Sequence, residues 1–234
     1  MASDTFPDPL KHKFAEWAKF GEFYYHASDI IGFGGELNVD NLHEAYIKGI
    51  FPWHIEGMPL PWFCPEKRAI LEFENLHISK SLAKERRRSG WTFTIDEDFV
   101  SVICACAETP RNPEDGTWIT SDFIRSYTEL HNSGEAHSVE VWNENGELIG
   151  GLYGVDAGGV FCGESMFFRK PNASKLALLF LIDHLRERGS SWIDIQVMTP
   201  HMKIFGAAEI DRIDFLNKLK SEQNKQLRLF DDVE

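Results

Sequence analysis

Hydrophobic and polar positions alternate along five stretches in the middle and later parts of the chain: 91–95, 138–142, 148–155, 160–167 and 192–198. Their β-branched and aromatic content predicts strands. Asn145-Gly146 and Gly158-Gly159 fall between consecutive stretches. Such pairs favour the positive-φ turns of hairpins, so the middle strands are expected to form an antiparallel meander. A helical period takes over at 122–132, closed by Ser133-Gly134, and at 174–188, stopped by Gly189. The longer helix has Asn172 or Ser174 as its candidate cap, and Arg186 and Arg188 complement the dipole at its other end. It is expected to pack across the sheet and lead into the strand at 192–198, which makes the fold class α+β.

Residues 1–65 follow neither period for long. They are rich in aromatics, prolines and glycines, as in Phe33-Gly34-Gly35 and Phe51-Pro52-Trp53, with one helix-like stretch at 41–48. We expect a small N-terminal domain over 1–65, a larger domain over 66–220 and a polar tail over 221–234. The tail ends Asp231-Asp232-Val233-Glu234 and has the composition of a partly disordered segment.

Composition narrows the classes. The longest fully apolar run, 176–182, has seven residues, against the roughly 20 needed to cross a bilayer. The N-terminus carries Asp4 and Asp8 and no apolar core, so it does not read as a secretory signal, and a cytoplasmic protein is expected. Cys64, Cys104, Cys106 and Cys162 are too scattered for a disulfide framework or a zinc site and read as buried thiols. With 24 Lys+Arg against 37 Asp+Glu and a net charge of -13, the chain does not suit nonspecific coating of nucleic acid, which relies on cations neutralising phosphates. One stretch departs from that average: 80–88 holds five basic residues and one acidic one. At helical spacing Lys80, Lys84, Arg87 and Arg88 share a side and could grip a phosphate backbone; a solvated helix face is the competing reading.

Two strands carry polar residues among apolar ones. Simple alternation puts Cys162, Glu164 and Met166 on one face and Phe161, Gly163, Ser165 and Phe167 on the other. A carboxylate on such a strand needs a partner or a function, so Glu164 either meets a cationic substrate or pairs with an arginine. On the last strand Asp194 and Gln196 share a face, and Asp194 accepting from the Gln196 amide would aim the amide oxygen at a substrate N–H. An edge strand with one wet face is the alternative. No G-x-S-x-G elbow, H-E-x-x-H pair, Walker A or Rossmann fingerprint is present. Cys162 has no histidine near it in sequence, leaving only His137 or His201 to approach it in space. The string from Arg186 to Ser191 looks like an acetyl-CoA pyrophosphate loop, yet it closes a helix where a phosphate cradle must open one.

Several of these segments, in order, resemble the leucyl/phenylalanyl-tRNA-protein transferase family: Gly49-Ile-Phe-Pro-Trp53, Leu76-His-Ile-Ser79, Gly116-Thr-Trp-Ile119, His137-Ser-Val-Glu-Val-Trp142, Gly150-Gly-Leu-Tyr-Gly-Val155, Phe161 to Phe167, Asn172-Ala-Ser-Lys175 and Asp194-x-Gln196-Val197. The resemblance implies a small N-terminal domain plus a domain like the GNAT acyltransferases, with a largely antiparallel mixed sheet flanked by helices. It also implies an enzyme that moves Leu or Phe, sometimes Met, from aminoacyl-tRNA to a protein beginning with Arg or Lys, creating an N-end rule degradation signal; a monomer is expected. Carried over by position, Asp194, Gln196 and Glu164 are catalytic, and Glu164 and Thr199 meet the acceptor. Trp53, Leu152, Phe161, Met166 and Leu178 line the aminoacyl pocket, and Lys80, Lys84, Arg87 and Arg88 bind tRNA. Thr199, Ile195 and Leu152 stand where the family often has Asn, Cys and Met. An aminoacyl ester is already activated, so transfer needs positioning, a proton acceptor and oxyanion stabilisation, and no cofactor or metal is expected. An acyl-CoA-dependent N-acyltransferase and a non-catalytic tRNA-binding module are the alternatives.

Overall fold

A computed structural model describes residues 5–109 and 117–230, so Asp4, Gly116 and the last four residues lie outside the described part. The chain opens with β1 (Trp17–Phe20), β2 (Phe23–His26), β3 (Ile30–Phe33), α1 (Val39–Ile47), β4 (Phe51–Pro52) and β5 (Pro61–Phe63). The first two strands form a hairpin, and β3, β5 and β4 make a three-stranded sheet. Helix α1 begins where the Asn38 side chain accepts from the Asn41 N–H, satisfying one orphan donor of the first turn.

The remaining elements are β6 (Lys67–Glu72), α2 (Lys80–Arg88), β7 (Thr92–Ile95), α3 (Phe99–Glu108), α4 (Ser121–Asn132), β8 (Ala136–Trp142), β9 (Leu148–Asp156), β10 (Phe161–Phe168), α5 (Ala173–Glu187), β11 (Trp192–Gln196), α6 (Pro200–Ile204), β12 (Ala208–Asp211) and α7 (Arg212–Gln223). Their strands form one sheet in the order β12-β6-β11-β10-β9-β8-β7. Every neighbouring pair is antiparallel except β10 and β11, which meet in parallel at a single registered pair, Cys162 and Asp194. A parallel pair needs a crossover, and α5 supplies it. The expected α+β class and the meander through β8, β9 and β10 are both present, with Gly146 (φ 75°) and Gly158 (φ 76°) in the connecting turns.

Apolar faces decide the layers. Helix α5 buries Leu178, Leu181 and Ile182 with Leu82 of α2 and Val139, Leu152 and Phe161 of the sheet. On the opposite side Phe99 and Val102 of α3, Tyr127 of α4 and Phe215 of α7 join Tyr46, Phe51 and Trp62 from the N-terminal segment. The chain passes from the three-stranded sheet to the seven-stranded one across residues 64–66, yet both sides of that passage share this core.

Three local expectations need correction. The strand anticipated at 192–198 ends at Gln196, whose φ of 61° breaks the extended backbone. Neither proposed cap of α5 caps it by hydrogen bonding: Asn172 occupies the position in a left-handed conformation but its side chain makes no such bond. Nor are residues 221–230 a loose polar tail. Residues 221–223 finish α7, Leu229 is buried, and the Phe230 ring stacks on His137 at 3.8 Å, because three apolar side chains interspersed in a polar string suffice to dock it on the α5 side.

Candidate functional site

Two irregularities meet where β10 and β11 run parallel. The register of β10 against β9 slips between Gly163 and Ser165, leaving Glu164 unpaired. That of β11 against β6 slips between Asp194 and Gln196. A bulge shifts the side-chain alternation by one position. Phe161 and Met166 therefore both pack on the α5 side, and Cys162 and Phe167 on the other. The simple alternation expected from sequence is wrong here for that reason. Gly154 allows the distortion: a Cβ there would lie 2.3 Å from the Cys162 carbonyl oxygen and 2.5 Å from the Phe161 ring.

Asp194 is fully buried and held by Arg68, itself 1% exposed. Arg68 Nε donates to Oδ1 at 2.9 Å and Nη2 to Oδ2 at 2.6 Å, the bidentate geometry that suits guanidinium and carboxylate. The guanidinium lies 4.6 Å from the Phe51 ring centroid and 4.4 Å from that of Phe215. Burial alone would lower the Arg68 pKa; the Asp194 charge and hydrogen bonds outweigh it and raise it.

Asp194 Oδ1 also accepts the backbone N–H of Gln196 at 2.8 Å, which anchors the positive-φ residue. The expected bond from the Gln196 side-chain amide to Asp194 is absent. Instead that amide nitrogen donates to Glu164 Oε1, because the bulges turn Gln196 toward β10.

Glu164 Oε1 accepts a second bond, from the Tyr46 hydroxyl at 2.6 Å, and Tyr46 is in turn 2.6 Å from the Tyr127 hydroxyl. Its other oxygen, Oε2, is buried without a hydrogen-bond partner. Burial pushes the Glu164 pKa up to about 7, and the Asp194 charge adds to it. The bonds from Tyr46 and Gln196 and the Arg68 charge act in the opposite sense.

Glu164 lies on a cavity of about 410 Å³ whose wall is largely apolar: Leu152, Phe161, Met166 and Leu178, with Ile193, Ile195 and Val197. Thr199 and His201 also line it. Thr199 caps α6, its Oγ1 accepting from the Met202 N–H at 3.2 Å. His201 Nε2 is buried without a partner, and burial, then the charge of Lys175, lowers its pKa. Four of the five expected pocket residues thus come together. Trp53 is not among the lining residues; past the end of β4 its ring packs on Trp118, 5.3 Å between centroids, beside the core on the other side of the sheet. Asp194 and Gln196 do not line the cavity either; they stand behind Glu164.

Ser79 caps α2 and Leu82 is its buried residue, so Lys80, Lys84, Arg87 and Arg88 lie exposed along the opposite side. Arg86, on the Leu82 side, pairs with Asp183 of α5. None of the other four forms an ion pair among the described residues. Cys162 is buried, which pushes its thiol pKa well up and keeps it protonated. Neither histidine considered for it serves it: His137 bonds to Asp96 at 2.7 Å, and His201 faces the cavity. Among the described residues, no group of three or more His, Cys, Asp or Glu converges as metal ligands would, and no helix is long and apolar enough to cross a membrane.

Sequence reasoning missed Arg68, Tyr46 and Tyr127. An arginine leading the apolar run Ala69-Ile70-Leu71 was a usable signal for the first. The tyrosines sit at ordinary core positions of α1 and α4, and nothing in their spacing marks them.

A family model described as leucyl/phenylalanyl-tRNA protein transferase matches residues 70–220, and one for the N-terminal domain of the same family matches 35–66. A leucyl/phenylalanyl-tRNA--protein transferase from Pseudoalteromonas atlantica is 48% identical over 191 residues, 82% of this chain and 81% of its own. One from Shewanella sp. (strain W3-18-1) is 46% identical over 198 residues, 85% and 83% of the two chains. Among solved structures, L-PGS from Bacillus licheniformis aligns with a TM-score of 0.40 at 18% identity, covering 58% of this chain and 47% of its own.

Proposed function

Since the chain belongs to the leucyl/phenylalanyl-tRNA protein transferase family, and is therefore an enzyme that transfers an aminoacyl group from tRNA to protein, we propose that it moves Leu or Phe, sometimes Met, onto the α-amino group of an N-terminal Arg or Lys. The observation that carries this reading is an apolar cavity bordered by Glu164, a carboxylate whose buried Oε2 makes no hydrogen bond within the protein. Leu152, Phe161, Met166 and Leu178 receive the aminoacyl side chain, and the ester carbonyl lies toward Glu164. Such a pocket separates Leu, Phe and Met only weakly, since a methylene is worth about 1–3 kcal/mol.

In the reaction the amine nitrogen attacks the ester carbonyl carbon, the bond to the tRNA ribose oxygen breaks and an amide forms. The attacking ammonium must first give up a proton. Glu164, with its pKa near 7, attracts the ammonium through Oε2 and accepts that proton close to neutral pH. Gln196 holds Glu164, and the Arg68–Asp194 pair holds Gln196, so these three position the proton acceptor from behind. Thr199 borders the acceptor at the cavity's edge. Lys80, Lys84, Arg87 and Arg88 contact phosphates of the tRNA acceptor stem. Both substrates are cytoplasmic molecules, and a product bearing a new N-terminal Leu or Phe is a signal for the N-end rule pathway.

The test is transfer of labelled Leu from Leu-tRNA to peptides beginning with Arg, Lys, Asp or Glu. Labelling of the Arg and Lys peptides alone is expected. Labelling confined to the Asp and Glu peptides would overturn the acceptor assignment.

A further inference from the structure

We propose that Tyr46 and Tyr127 are positioning residues for transfer, committing Oε1 of Glu164 to the protein and leaving Oε2, which has no protein partner, to take the proton of the acceptor amine. The inference rests on the assignment of Glu164 to that amine.

Both tyrosines are fully buried. A hydroxyl taken from water into a core is unfavourable unless it is bonded, and phenylalanine would fill the same aromatic cluster, in which Tyr127 stacks on Phe123 at 5.9 Å and meets Tyr46 edge-on at 6.4 Å. The hydroxyls are used in one direction. Tyr46 donates to Glu164 Oε1 at 2.6 Å, so across the 2.6 Å contact Tyr127 must donate to Tyr46. With the Gln196 amide on the same oxygen, Oε1 is engaged directly from α1 and β11, with α4 behind Tyr46, and Oε2 has no protein partner. Two donors on one oxygen thereby fix the orientation of the carboxyl group. Tyr46 comes from the N-terminal segment, so that segment contributes directly to the site.

The groups acting on Glu164 are the donors Tyr46 and Gln196, Tyr127 through Tyr46, the like charge of Asp194 and, behind it, the opposite charge of Arg68. A donor to a carboxylate favours the ionised form, so losing one raises the pH at which the group ionises. Transfer to an Arg-initiated peptide should therefore show an acidic limb that Tyr46→Phe moves upward by about half to one pH unit. Tyr127→Phe should move it the same way by less, and Glu164→Gln should abolish it. Adding Tyr46→Phe to Glu164→Gln should change nothing further.

An equal rate loss at every pH in Tyr46→Phe, with the limb unmoved, overturns the proposal. A wild-type rate and limb in Glu164→Gln would instead overturn the Glu164 assignment. The same titration can be read without activity from the infrared carboxylic-acid band lost in Glu164→Gln. That band should persist to higher pH in Tyr46→Phe; an unchanged titration again overturns the proposal. Should Tyr46→Phe not fold, Tyr127→Phe, which leaves the direct bond to Glu164 intact, decides by the same two readouts.

Discussion

Without Arg68, the Asp194 carboxylate would remain buried without its counter-charge, although the Gln196 backbone N–H still donates to it. Breaking a buried ion pair by removing one partner costs about 3–5 kcal/mol, because the charge left behind is uncompensated. We predict a stability loss of that size for Arg68→Met, measured by urea unfolding. Arg68→Lys should recover only part of it, since an ammonium restores the charge but neither the two-pronged contact nor the stacking between Phe51 and Phe215. The pair also shows where sequence reading stops at this scale. Asp194 stood out as a carboxylate on an apolar strand, but its partner lies 126 residues away, and a side-chain contact of that span leaves no local trace. Glu164 likewise stood out; the tyrosine that holds its Oε1 and the one behind it did not.

At the level of elements, α2 offers a test of how charge is partitioned along one helix. Its inward side carries the buried Leu82 and the solvent-exposed Arg86–Asp183 pair, and its outer side four cations. Replacing Lys84, Arg87 and Arg88 with Ala should weaken tRNA binding and lower the log–log salt slope by about one for each phosphate no longer neutralised. Titration of tRNA at several salt concentrations checks this; an unchanged affinity at low salt would remove α2 from the interface. Strong periodicity made α4, α5 and the β8–β10 meander legible. It could not reveal the bulges: one extra residue in Gly163-Glu164-Ser165 or Asp194-Ile195-Gln196 alters no composition, yet it reverses which face each later side chain joins. Helix α3 was missed because Ile103-Cys104-Ala105-Cys106 has no polar side to set a period.

Over the whole molecule, the last described residues close the α5 side of the sheet. Leu229 is 1% exposed, its carbonyl accepts from His184 Nε2 at 2.8 Å, and Phe230 touches both His137 and Phe161. Leu229→Ala should cost about 2–5 kcal/mol, as for other buried leucines, read as a lowered thermal midpoint; a shift within error would mean that this segment does not hold the fold. Because Phe161 also walls the cavity, Phe230 braces the same strand that forms the cavity wall.

Arg68 lies between an aromatic ring from β4 and one from α7, with the Asp194 carboxylate beside it. Those three contacts are contributed by residues 51, 194 and 215, so a chain emerging from the ribosome carries Arg68 and its first ring long before it carries the counter-ion, and the second ring comes later still. The guanidinium must stay hydrated while the residues between it and Asp194 are synthesised. The site becomes dry and charge-balanced only after residue 215 has been made.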